Sequence, residues 1–234
     1  MTSTTEWSAE FDILWNNIMS NQAPGLNPYE KSVFLTRGEE LTVIGIYNGT
    51  ISVPFESTEE VTDYLSPLVS QADCPVAEAA SLYHIISGSV VYQLPEDLLF
   101  RTYESCKLNL GDCGERDAII VPVTQDEFWR TYRNPFKGPN KRRVLRLSYA
   151  EAVMDGDEID YHQMYSELVS KLPVSSYSVR YIRKPDPIIL EDIPEGYPAI
   201  NGQREAATCK LHENLHQTIL INAVNAAKAV WASS

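Results

Sequence analysis

The chain has 234 residues, 44% hydrophobic and 22% charged, with a formal net charge of −13. That composition supports a sizeable core and excludes wholesale disorder. The acid excess argues against a free-standing nucleic-acid binder, which needs a cationic footprint on phosphate, and no run of about 18 apolar residues exists to span a bilayer.

In chain order, Trp7, Phe11, Leu14, Trp15 and Ile18 fall on one face and predict a helix over about residues 5–21. Pro24-Gly25 breaks it. The next helix has a strong start: Asn27 as cap, Pro28 in the first position, Glu30 reaching back to the cap amide, and Leu26 ahead as a staple. Tyr29, Val33 and Phe34 are its expected inward residues. The two helices read as an N-terminal hairpin. Residues 43–47 are β-rich, so Asn48-Gly49 either ends the second helix or turns a β-hairpin.

A short helix is expected over about residues 58–70, capped by Thr58, with Val61 and Leu65 inward and Pro67 near its end. Strand-like runs follow at 90–92, 99–108 and 118–123, separated by Pro, Gly and Asp. Thr124-Gln125-Asp126-Glu127 has the capping-box pattern and predicts a short helix through Tyr132. Residues 142–149 alternate as a strand, 161–172 read as a helix, and 177–183 and 188–190 read as strands. A final helix covers about 208–232, with Leu220, Ile221, Val224, Ala227 and Trp231 as its inward stripe.

Helices, then strands, then a helix predict an α+β fold: an N-terminal helical hairpin, a central mostly antiparallel β region and a long C-terminal helix. We expect one structural domain over 1–234, with a helical arm (1–72), a β-rich core (80–190) and a packing helix (207–232).

The N-terminal residues 1–10 are polar and acidic, unlike a secretory signal. Cys74, Cys106, Cys113 and Cys209 are few and irregularly spaced, which reads as reduced thiols in a cytosol-like compartment. Cys106 and Cys113 are a candidate pair, but no second Cys or His pair nearby completes four metal ligands. Phosphate-binding glycine loops and a G-x-S-x-G elbow are absent from the sequence.

One motif looks catalytic. His212-Glu213-x-x-His216 matches the helical pattern in which two histidines one turn apart hold zinc and the Glu activates water. A catalytic zinc needs a third protein ligand. None of residues 217–234 is His, Asp, Glu or Cys, and the only other histidines are His84 and His162. The competing reading is a polar stripe at a helix start, with Glu213 favoured there by the helix dipole. The second reading is the one expected, with no metal, no cofactor and no catalytic residue. A zinc hydrolase using His212, Glu213 and His216 stands as the alternative.

Charge is unevenly distributed. Residues 130–146 hold seven bases (Arg130, Arg133, Lys137, Lys141, Arg142, Arg143, Arg146) and no acid, whereas residues 1–129 hold 20 acids against 5 bases. Three readings of the basic run stand open: nucleic-acid contact, a solvated Pro-rich loop, or a cationic patch docking on an acidic surface of a neighbouring copy. The last makes Arg133, Lys137, Lys141, Arg142 and Arg143 candidate interface residues. Trp7 and Trp15 join them, because the N-terminal hairpin carries much apolar surface for a short element. The acidic loop over 155–160 lacks calcium-loop spacing and reads as a solvated turn.

Several blocks carry a resemblance: Phe11-Asp12-Ile13-Leu14-Trp15-Asn16-Asn17-Ile18, Ser20-Asn21-Gln22-Ala23-Pro24-Gly25-Leu26, Leu94-Pro95-Glu96-Asp97-Leu98-Leu99, Val121-Pro122-Val123-Thr124-Gln125-Asp126-Glu127, Asn134-Pro135-Phe136-Lys137-Gly138-Pro139-Asn140 and Tyr181-Ile182-Arg183-Lys184-Pro185-Asp186-Pro187. Together, and in order, they resemble the head–tail connector proteins of crAss-like short-tailed bacteriophages. The resemblance implies a virion structural protein: a dodecameric ring or adaptor subunit below the portal, assembled in the host cytoplasm. Its partners would be copies of itself, the portal and other tail proteins, with genomic DNA passing through. It implies no catalysis and no membrane partner. Arg37-Gly38-Glu39-Glu40 departs from the family's helix-rich continuation, leaving the second helix's length open.

Overall fold

A computed structural model describes residues 3–18, 25–51, 64–77, 84–111, 114–155 and 158–232. By backbone contacts the chain divides into two compact units, one of residues 1–68 and 184–234, the other of residues 69–183. Residues 1–68 of the expected arm and the packing helix fall in the first, residues 69–72 and most of the β-rich stretch in the second.

The first unit is helical. α1 (Thr4–Ile18) buries Trp7, Phe11 and Trp15, spaced so that one face carries all three. α2 (Pro28–Tyr47) opens with the expected capping box: the Asn27 side chain accepts from the Glu30 amide at 2.8 Å, and the Glu30 carboxylate accepts from the Asn27 amide at 2.8 Å. The helix continues through the β-rich 43–47 stretch and stops at Asn48, where Gly49 (φ +70°) takes the left-handed turn. That settles the role of Asn48-Gly49.

The inward face of α2 differs from expectation. Val33 is exposed, and Tyr29 and Phe34 are only half-buried. The buried face is Ser32, Leu35, Thr36, Gly38, Glu39, Thr42, Val43 and Ile46. This face suits a close neighbour. α4 (His216–Ala232) passes so near that a Cβ on Gly38 would lie 2.6 Å from the Ile219 carbonyl and 2.7 Å from the Ala223 amide. Thr42 accepts from Asn222 at 2.9 Å, while Ser32 and Thr36 accept from the amides of Leu190 and Ile188. Both α1 and α2 pack more on α4 than on each other, so the expected hairpin is organised around a third helix. Lys31 ties α1 to α2 through Asp12 at 2.7 Å.

α4 also starts later than expected, after a 3-10 turn over Glu213–Leu215. Ile219, Leu220, Ala223, Val224 and Ala227 are its buried stripe, whereas Ile221 and Trp231 are exposed. Of the expected 58–70 helix, residues 58–63 lie outside the described residues; Tyr64–Leu65 are helical, Ser66–Leu68 form a 3-10 turn and Val69 already belongs to a strand. The expected 188–190 strand is a single bridge, Ile189 to Ala207.

The second unit is a seven-stranded sheet: β1 (Val69–Asp73), β2 (Val90–Gln93), β3 (Leu98–Asn109), β4 (Glu115–Pro122), β5 (Arg143–Asp155), β6 (Glu158–Val169) and β7 (Val174–Arg183), in the order β1-β7-β3-β4-β5-β6-β2. Every pairing is antiparallel except β4–β5. A parallel pair needs a crossover, and the segment supplying it carries α3 (Phe128–Tyr132), whose Phe128 is fully buried against Leu145, Leu147 and Val169. The α3 capping box does not form. The position before the helix is Glu127, without a side-chain cap bond, and Thr124 instead bonds Asp126.

The chain leaving β1 crosses to the other edge of the sheet. Gln93 donates to the Pro75 carbonyl at 3.0 Å and Ala77 to the Val91 carbonyl at 2.9 Å. The two edges therefore meet and the sheet curls closed around Tyr92, Cys106, Leu108, Val144, Leu168, Tyr177 and Val179. The expected 161–172 helix is wrong: this stretch is most of β6, held between β5 and β2. Met164, Glu167 and Leu168 are good helix formers, but two flanking strands outweigh that preference.

Candidate assembly surface

Two regions compete for function: the histidine motif and the basic run. His212 lies outside α4, in extended backbone, with its Nδ1 accepting from the Asn214 amide at 3.2 Å and its ring edge-on to Tyr64, centroids 5.3 Å apart. His216 is the first residue of α4 and packs on Trp7, ring centroids 4.8 Å apart. The expected shared helix face does not exist, because the helix begins at the second histidine. A zinc-binding pair one turn apart needs both on one helix. Among the described residues, no three His, Cys, Asp or Glu side chains come together as a metal site.

The thiols are unsuited to reaction. Cys106 is buried in the sheet core and its thiol is pushed up to about 11 by burial; Cys74 behaves likewise. Cys113, the other half of the candidate pair, lies outside the described residues.

The basic run splits by location. Arg146 belongs to β5 next to the inward Val144, and its side chain turns to the sheet interior. Its Nε lies 3.2 Å from Glu104, which also takes Arg101 at 2.8 Å and the Tyr177 hydroxyl at 2.5 Å. Burial, followed by the Glu104 charge, raises the Tyr177 hydroxyl well above its ordinary range. These groups sit beside a cleft of about 660 Å³ that opens where β4 leaves β3 for β5, since Glu115–Ala118 pair with β3 and Ile119–Pro122 with β5.

The other six bases lie on α3, in the loop after it, and at the start of β5. Arg130 pairs with Glu127 at 2.8 Å, and Arg133 stacks over Trp129 at 5.6 Å. Asn134 fixes the loop by accepting from the amides of Phe136 and Lys137, while Arg143 donates to the Phe136 carbonyl. Gly138 is buried where a Cβ would meet the Tyr132 carbonyl at 2.6 Å. An ordered loop therefore presents Arg133, Lys137, Lys141 and Arg142 to solvent, beside the exposed ring of Phe136. Arg143 is half-buried. Trp7 and Trp15, which the sequence assigns to a partner surface, are 1% and 3% exposed and pack inside their own unit. Among the described residues no helix is long and apolar enough to cross a membrane.

The chain is α+β, and its sheet unit carries an ordered, exposed cationic surface. Its family is that of the phage tail ring proteins: the description "Phage tail ring protein 3/4" matches residues 1–233, and the chain belongs to this family of crAss-like phages. It is 38% identical to ring protein 3 of Bacteroides phage crAss001, over 95% of this chain and 93% of the relative. It is 32% identical to ring protein 4/5 of the same phage, over 98% and 93%.

Proposed function

We propose that this chain is a non-catalytic subunit of a closed, dodecameric ring in the head–tail connector, below the portal, through which the genome passes. The observation that carries this reading is the match to ring proteins along nearly the whole chain. The acid excess suits a channel wall, since net repulsion of phosphate lets DNA slide rather than stick. The exposed bases at Arg133, Lys137, Lys141 and Arg142, with Arg143 behind them, serve a subunit or partner contact. The virion is then its place of action, after assembly in the host cytoplasm, with the portal and neighbouring tail proteins as partners.

Native mass spectrometry of the purified chain, alone and with its portal and tail neighbours, tests this. A closed ring that joins the portal is expected. A chain that stays monomeric in every mixture overturns it.

A further inference from the structure

The curled sheet is open between β3 and β4. β3 pairs with β7 from Leu98 to Leu108, but with β4 only over residues 106–109. β4 then turns to β5, so among the described residues 101–105 of β3 have no paired strand on their second side. A bare strand edge is a template for another strand. The cleft of about 660 Å³ lies along this edge, within the size range of ligand pockets, about 300–1,000 Å³. Tyr103 and Ile119 line it and are each 65% exposed. Large apolar side chains beside a bare edge are the kind of surface that a partner covers.

The cleft also carries unbalanced charge. A bulge between Arg101 and Tyr103 shifts the alternation of β3 by one, which brings Arg101 and Glu104 to one face. Arg146 reaches the same carboxylate from β5, and Ser148 accepts from both guanidinium groups. Two cations therefore share one acid. Tyr177, the third partner of Glu104, donates a neutral hydroxyl and adds no counter-charge. Among the described residues neither Nη2 group has a partner, and the buried Nε of Arg101 makes no hydrogen bond. A guanidinium presents its donors as a planar fork that matches a carboxylate. The Arg101 and Arg146 side chains are only 13% and 15% exposed, and charges so far removed from water need a partner each.

We propose that the cleft receives an acidic segment of a second copy of this chain, its carboxylate held by Arg101 and Arg146 and its backbone running along residues 101–105 of β3. A second copy brings the matching charge, since the chain holds 32 Asp and Glu against 19 Lys and Arg. In strand addition of this kind backbone hydrogen bonds supply affinity and side-chain pockets supply selectivity. Cleft and inserted segment are different surfaces, so the contact is head-to-tail and closes a ring when the rotation permits. It deepens the ring reading and rests on it.

Two arms test it. The double variant Tyr103→Asp, Ile119→Asp puts acids at the mouth without touching the charged cluster, and circular dichroism checks that it folds. Its self-association in sedimentation velocity should weaken about ten-fold or more, because like charges then meet. In the second arm, photoreactive p-benzoylphenylalanine replaces Tyr103, and isotope-labelled and unlabelled chains are mixed and irradiated. Cross-linked peptides should join position 103 of one copy to an Asp- or Glu-containing segment of the other isotopic form. A double variant that associates like wild type, cross-links confined to single copies, or cross-links formed only with other tail proteins overturn this contact and leave the ring reading standing. A wild-type chain that never associates removes both.

Discussion

The two units bury polar groups in opposite ways. The helical unit places Gly38 and Thr42 where α2 meets α4, and Ser32 and Thr36 where α2 meets residues 188–190, so backbones approach closely and the hydroxyls bond nearby groups. The sheet unit keeps large aromatic and aliphatic side chains inside and buries acids where donors meet them, Glu104 between Arg101 and Arg146 and Glu167 against the Ile85 amide and the Ser89 hydroxyl. Close helix packing selects for small volume; a curled sheet has room for long side chains provided their charges meet. Hydrophobic periodicity therefore finds the aromatic face of α1 but not the small, polar inner face of α2.

The largest expected effect breaks the sheet's side of that contrast. Glu104→Ala leaves two mostly buried guanidinium groups without their carboxylate and should cost about 3 kcal/mol or more in urea unfolding. Loss below 1 kcal/mol would mean the cluster is solvated. Next, Gly38→Val forces a side chain onto the α4 backbone and should cost about 2–3 kcal/mol, seen as a fall in Tm; an unchanged Tm would refute the close approach.

Glu39 sharpens the contrast. It is 1% exposed, accepts from the Cys209 thiol at 3.2 Å, and burial pushes its carboxyl up to about 8. An acid with a raised folded pKa is favoured by folding only while protonated. Its contribution is full below about 4.5 and lost as pH rises through about 8. Glu39→Gln keeps the acceptor for Cys209 and cannot ionise. It should gain on the order of 2 kcal/mol near pH 8 and little near pH 5, with its unpartnered amide offsetting part of the gain. Equal pH profiles for variant and wild type would contradict a buried acid. The smallest effect is Asn27→Ala, which removes the α2 cap and should lower stability by about 1 kcal/mol by calorimetry.

These residues also show how far the sequence was legible. The buried face of α1, the Leu220, Val224 and Ala227 part of the α4 stripe, the α2 cap, and strands β2 to β5 and β7 follow from spacing and capping chemistry alone. β6 does not, because its strand character comes from β5 and β2, which its own residues cannot announce. The polar inner face of α2 is hidden for the same reason: Ser32 and Thr36 find partners more than 150 positions away. In the basic run, composition located the cationic surface but grouped Arg146 with it. The signal that separates them was available: Val144 and Arg146 share the period-two face opposite Leu145 and Leu147. At the histidine motif only the helix start was misplaced, because the pattern fixes identities and not where the helix begins.

The helical unit is discontinuous, with the whole sheet unit inserted between its two parts. Its central helix, α4, follows all seven strands in sequence, and β1 finds its partner only when β7 emerges. Until α4 is made, α1 and α2 lack the helix on which they pack, and β1 lacks its neighbour until β7 is made. Both units therefore depend on contacts of high sequence separation, which are slow to form. Loss of α4 should unseat α1 and α2, although the whole sheet unit separates them from it in sequence.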